Sequence, residues 1–106
     1  MKSIRIHKAV AKAIDPLDLD LRRSLADVLA LLGAGESVGM PVSRPMPTIA
    51  TGSHELRLRD RTGNFRAFYY TKVEGAVLVF HFFKKKTQAT PKKEIRVAIK
   101  RLKEML

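Results

Sequence analysis

The sequence predicts an α+β fold: helical segments first, then a run of short strands joined by turns, then a C-terminal helix. Three observations carry that prediction. Apolar residues recur at helical spacing from Val10 to Leu32, at alternate positions from His54 to Asp60, and at helical spacing again from Ile95 to Leu106. The 106 residues suit one domain, 1–106, and a chain of this size buries roughly two-thirds of its unfolded surface.

The first element is open between two forms. Lys2 to Ile6 alternates like a strand, while Val10, Ala13 and Ile14 fall at helical spacing, which favours a short helix ending before Asp15. Asp15-Pro16 reads as an N-cap with Pro at the first helical position, so a second helix is expected to begin there. Its stripe of Leu17, Leu21, Leu25, Val28, Leu29 and Leu32 is core, and Gly33 or Gly35 ends it. Three Pro and three Gly between Gly35 and Ser53 predict a long, mostly irregular loop.

Beyond the loop the period is two. His54 to Asp60 reads as a strand with Leu56 and Leu58 inward and Glu55, Arg57 and Arg59 on a charged outer face. Arg61 to Asn64 turns the chain into an aromatic strand from Phe65 to Thr71, where Tyr69 and Tyr70 alternate faces. Glu74-Gly75 turns it again into Ala76–Phe83, whose near-continuous apolar character marks a strand covered on both faces. Lys84 to Thr90 is a basic loop, and Thr90-Pro91 reads as the cap of the last helix. On that helix Lys93, Arg96, Lys100 and Lys103 line one flank, a like-charge arrangement that opposes helix stability and points to a polyanionic partner.

Composition excludes several chemistries. There is no cysteine, hence no disulfide, thiolate metal site or Cys nucleophile, and His7, His54 and His81 are too scattered for a zinc cluster. No cofactor is expected. The longest apolar stretch, Ala76–Phe80, is far too short to span a bilayer and the N-terminus lacks a signal-peptide core, so a cytoplasmic protein with no membrane partner is expected. Walker, dinucleotide-binding and nucleophile-elbow motifs are absent.

Charge carries the functional signal. The formal net charge is +11, and residues 54–106 hold 14 basic against 5 acidic side chains, which is the electrostatic footprint of a phosphate-bearing partner. Arg57, Arg66 and Lys84 to Lys86 fall on neighbouring strands or at their ends, within mutual reach. Cations without acidic metal ligands suit RNA cleavage in which the ribose 2′-hydroxyl attacks the adjacent phosphate and fixed positive groups stabilise the developing charge. His81, with its unperturbed titration near neutrality, and Glu55 are the two candidates for proton transfer.

Taken in order, His54-Glu55-Leu56-Arg57, Gly63-Asn64-Phe65-Arg66 with Phe68-Tyr69-Tyr70, and His81-Phe82-Phe83-Lys84-Lys85-Lys86-Thr87-Gln88 with Thr90-Pro91 resemble the HigB-like, phage-derived branch of the RelE/ParE toxin superfamily. The resemblance covers residues 53–106. It implies a RelE-like fold, with an N-terminal helical hairpin packed on a small antiparallel sheet of three to four strands plus a C-terminal helix, and an mRNA endonuclease, the toxin of a type II toxin–antitoxin pair, acting on messages in the ribosomal A site. It also implies a helix-turn-helix antitoxin through which alone the pair would contact operator DNA. The family's basic functional positions fall on Arg57, Arg66, Lys85 and Lys86, with His81 beside them, while Lys84, Arg59, Lys93, Arg96 and Lys100 are expected to bind RNA. Phe82 departs from the pattern, since relatives often carry Gly there. Two other readings stand beside this one: a non-enzymatic inhibitor of DNA gyrase on the same fold, and an inactive phage-derived nucleic-acid-binding module.

Overall fold

A computed structural model describes all residues, 1–106. Its elements are β1 (Ser3–Ile6), α1 (Lys8–Ile14), α2 (Leu19–Gly33), β2 (Ser43–Pro45), β3 (Ser53–Asp60), β4 (Gly63–Tyr70), β5 (Ala76–Lys85) and α3 (Lys92–Met105). The α+β class holds. The sheet has five strands in the order β1-β5-β4-β3-β2, not three to four, and it is mixed because β1 runs parallel to β5.

The two strands beyond the expected count lie at the edges. Of the two forms open at the N-terminus, the strand prevails over Ser3–Ile6 as β1, and the short helix expected to end before Asp15 begins only at Lys8 with His7 as its N-cap, the Nδ1 of His7 accepting from Ala9 N at 3.1 Å. Strand β2 arises inside the Pro-rich loop by pairing with β3, and Pro45 is tolerated because it sits on an edge strand. The second helix starts later than Asp15. Asp15 instead closes α1 in right-handed helical geometry, and Asp18, in extended geometry, is the N-cap of α2. The far end of α2 is a Schellman motif: Glu36 N donates to Leu31 O and Gly35 N to Leu32 O, each at 3.0 Å, with Gly35 at φ +89°.

Each face of the sheet carries its own core. One face packs Leu56, Leu58, Phe65, Ala67, Tyr69, Val77, Val79 and Phe82 against Val10 of α1 and Leu21, Leu25, Leu29 and Leu32 of α2. The other packs Met46, Phe68, Ala76, Leu78 and Phe80 against Ala98 and Leu102 of α3. Tyr69 is buried and shares a 2.6 Å hydrogen bond with Ser43, whereas Tyr70 is half-buried on the α3 face. Phe82 stacks on Phe65 at 5.7 Å, so its ring fills the core on the face away from the lysine-rich loop's α3 side.

The strands register in a way that positions the basic residues. Arg57 stands opposite Arg66, Arg44 opposite Glu55, Arg66 opposite Phe83 and Asn64 opposite Lys85. A β-bulge interrupts the β4–β5 pair: Phe68 opposes His81 and Tyr69 opposes Val79, leaving Phe80 as the extra residue. Before the bulge Ala76, Leu78 and Phe80 face α3; after it His81, Phe83 and Lys85 do.

Candidate nucleic-acid interface

Helix α3 packs against β5, and the part of the same sheet face carried by β2, β3 and β4 holds a cluster of charge. At its centre Glu55 is fully buried. Alternation along β3 predicts a solvated outer face for this residue, and the structure corrects the expectation, because Arg44, Arg57, Arg66 and Thr90 of the loop before α3 enclose the carboxylate. Glu55 Oε1 lies 3.3 Å from Arg44 Nε, 3.6 Å from Arg66 Nε and 3.7 Å from Arg57 Nε. Glu55 Oε2 accepts from Thr90 Oγ1 at 3.1 Å. Thr90 therefore ties the basic loop to the buried carboxylate instead of capping α3, whose N-cap is Pro91 without a side-chain bond.

One carboxylate thus faces three guanidiniums. Like charges directly opposite on neighbouring strands, as Arg57 and Arg66 are, repel. Glu55 offsets that repulsion, but the cluster keeps a surplus of positive charge before any lysine is added. Arg66 is the most enclosed of the three, its side chain 11 % exposed, with Nη1 donating to Phe65 O at 2.9 Å. Burial pulls the Arg66 guanidinium below its ordinary value, with Glu55 acting the other way. Lys85 joins the cluster electrostatically: burial first, then Arg66, holds its ammonium below the ordinary lysine value.

The surplus opens onto a groove of about 490 Å³ lined only by polar side chains, those of Asn64, Arg66, Lys85, Lys86, Thr87 and Gln88. Arg59 extends the face of β3 beyond Arg57 and is exposed opposite Asn64. Lys84 points to the opposite face, its Nζ 5.7 Å from the Phe65 ring centre, apart from the other lysines. Lys93, Arg96 and Lys100 are exposed along α3. Arg96 meets the cluster through a second pocket that it shares with Arg44.

His81 occupies different ground. It is buried beneath α3 between Phe68 and Phe83, with ring centres 5.7 and 5.3 Å away. Arg101 Nη1 lies 2.9 Å from Nδ1 and, being able only to donate, makes that nitrogen the acceptor. Nε2 then carries the proton and donates to Glu94 Oε1 at 2.7 Å. Both ring nitrogens are engaged, and burial, opposed by the bond to Glu94, holds the imidazole below its ordinary value of 6.5. A base whose folded value is lowered binds fewer protons in the native than in the unfolded state, so its contribution to stability is present above pH 6.5 and fades as pH falls. The melting temperature should therefore drop on acidification below that point, and the drop should be smaller in His81→Gln; parallel melting curves against pH for the two proteins would sink this account.

Sequence reasoning missed four residues of this face. Arg44 lay in a loop without a visible period, and Glu94 and Arg101, the partners of His81, stood among the many charges of α3. Thr90 carried the signal of a helix cap. No three His, Cys, Asp or Glu side chains come together where they would hold a metal ion, and no helix is long and apolar enough to cross a membrane.

No curated protein matches the chain. The model of the family described as phage derived protein Gp49-like (DUF891) matches residues 12–103, which takes in α2, β2 to β5, nearly all of α3 and every member of the cluster around Glu55. On that match over most of its length, the chain belongs to the phage-derived Gp49-like family.

Proposed function

We propose that the protein is an RNA endonuclease, the toxin of a type II toxin–antitoxin pair, which cuts messages in the ribosomal A site without a metal. Membership of a phage-derived Gp49-like family is compatible with a toxin–antitoxin module. The observation that carries the reading is the set of three arginines around one buried carboxylate, opening onto the all-polar groove of Arg66, Lys85 and Lys86.

The chemistry follows from the charge. The 2′-hydroxyl of one ribose gives up its proton to solvent as its oxygen attacks the adjacent phosphorus, the bond to the 5′-oxygen breaks, and that oxygen takes up a proton from solvent, so that a 2′,3′-cyclic phosphate and a 5′-hydroxyl result. Negative charge grows on the non-bridging oxygens, and guanidiniums already held in place stabilise it without reorganising. Arg57 and Arg66 take that role, with Lys86 guiding the backbone into the groove. Lys85, which lines the same groove, adds a further positive charge beside the phosphate. Glu55 is enclosed by its three partners and does not reach substrate, and His81 has no free nitrogen, so both act by positioning. The RelE-like arrangement, the HigB-like affiliation and a helix-turn-helix antitoxin belong to the same proposal. An acidic antitoxin segment would complement the +11 chain, and operator contacts would be made through it.

Induced expression tests the reading. Growth arrest with new 5′-hydroxyl ends in phase with the reading frame is expected, and both should vanish in the Arg57→Ala/Lys86→Ala variant. Arrest with intact messages would overturn the reading in favour of a non-enzymatic target such as gyrase, and no arrest would favour a binding module.

A further inference from the structure

The second pocket, between the loop after β2 and the start of α3, differs in character from the polar groove. It measures about 510 Å³ and is lined by Arg44, Met46, Thr48, Thr90, Lys92, Ile95 and Arg96. Its floor is apolar, Met46 being buried and Ile95 partly so. Its rim carries three cations and no carboxylate. Two of its residues reach directly into the Glu55 cluster: Arg44 through Oε1 and Thr90 through Oε2.

An apolar floor within a cationic rim fits a molecule with a flat, weakly hydrated body and an attached phosphate. A volume of this size suits a single nucleotide. Guanidinium planes also stack on unpaired bases, and Arg44 and Arg96 are placed on the rim to do so. We propose that this pocket is a nucleotide subsite for single-stranded RNA: it takes the base of a nucleotide flanking the scissile phosphate, with Met46 and Ile95 under the base, Arg44 and Arg96 against its face and Lys92 on its phosphate. The inference rests on the endonuclease reading and adds to it a place where a base, and not only the backbone, meets the protein. Arg44 stands at the junction, bound to Glu55 on one side and lining the subsite on the other. An acidic peptide would satisfy the rim but leave the apolar floor without a flat partner.

The test uses a fluorescent 2′-O-methyl RNA hexamer, which has no free 2′-hydroxyl and stays intact, and a series in which each position in turn lacks its base. Anisotropy at low salt gives the Kd. In the wild type, loss of one particular base should weaken binding about tenfold, the scale of a cation–π contact with the apolar area it covers. Arg96→Ser, an exposed change, and Thr48→Trp, which fills the pocket from an exposed position, should each bind the intact hexamer about as weakly and lose the discrimination. Equal binding of every abasic probe, or discrimination that survives in both variants, would overturn the subsite while leaving the endonuclease reading in place, provided Arg66→Ala abolishes cleavage. Variants that bind RNA normally but lose a poly-glutamate peptide would overturn it equally, in favour of an acidic protein segment. A wild type that neither binds the hexamer nor cuts messages on ribosomes would remove the reading itself and the subsite with it.

Discussion

Glu55→Gln should lower the melting temperature by roughly 15 °C, because a destabilisation of about 3 kcal/mol moves a domain of this size by that much. The amide keeps the shape of the side chain and removes its charge. Three guanidiniums within 3.3–3.7 Å of Oε1 would then face one another with no negative group among them. Breaking a buried ion pair by removing one partner costs about 3–5 kcal/mol. The lower end applies here because Arg44 and Arg57 are 40 % and 32 % exposed and can swing into water, whereas Arg66, at 11 %, cannot follow easily. Glu55→Asp retains the charge and should recover part of the loss. Thermal unfolding followed by circular dichroism reads both, and a melting temperature for Glu55→Gln within a few degrees of wild type would show that the carboxylate does not hold the cluster together.

Arg66→Ala should do the reverse, leaving the fold almost untouched and, on the endonuclease proposal, reducing cleavage of messages on ribosomes by about 10²–10³, the loss associated with one preorganised charge donor at a reacting oxygen. Folding survives because the substitution relieves the repulsion of Arg57 across the strand pair and leaves Glu55 with Arg44 and Arg57. Activity falls because Arg66 is the most enclosed of the three cations and the one that lines the polar groove beside Lys85 and Lys86. A charge in a less watery setting acts more strongly on a neighbouring phosphate. Arg66→Lys keeps the charge but not the planar two-pronged donor, and should restore a fraction of the rate. Single-round cleavage on programmed ribosomes, set beside melting curves, separates the two quantities. Full activity in Arg66→Ala would remove this residue from the chemistry.

The strands that carry their own local signal are legible in the sequence. Leu56 and Leu58 alternate with charged residues, and the near-continuous apolar run of β5 announces a strand covered on both faces. What lies hidden depends on pairing at a distance. Strand β1 is four residues long, largely exposed and parallel to β5 across about 70 intervening residues, so no turn fixes its register. Strand β2 exists because β3 offers it an edge, and Arg44 is invisible in the sequence for the same reason. Strand adjacency gathers Arg57, Arg66 and Lys85 correctly, since neighbouring hairpins dictate which residues meet. It misplaces the central acid: alternation gives the face on which Glu55 sits, but not that three arginines and Thr90 enclose it. Asp15 and Asp18 show a related limit, because both have the chemistry of a cap and only packing decides between them.

The bulge at Phe80 sets the parity of everything that follows on β5. Without it the even-numbered residues would stay on the α3 face, and Lys84, not Lys85, would stand beside Arg66. The extra residue works as a frameshift written into the sheet: it keeps His81 and Phe83 packed under α3 and then delivers Lys85 to the side of Arg66. Deleting one residue between Val79 and Phe83 would keep every side chain of the lysine run and exchange their addresses, sending Lys85 to the Phe65 side where Lys84 now lies. In this chain, therefore, the spacing between the core and the lysine run decides which lysine stands on the side of Arg66.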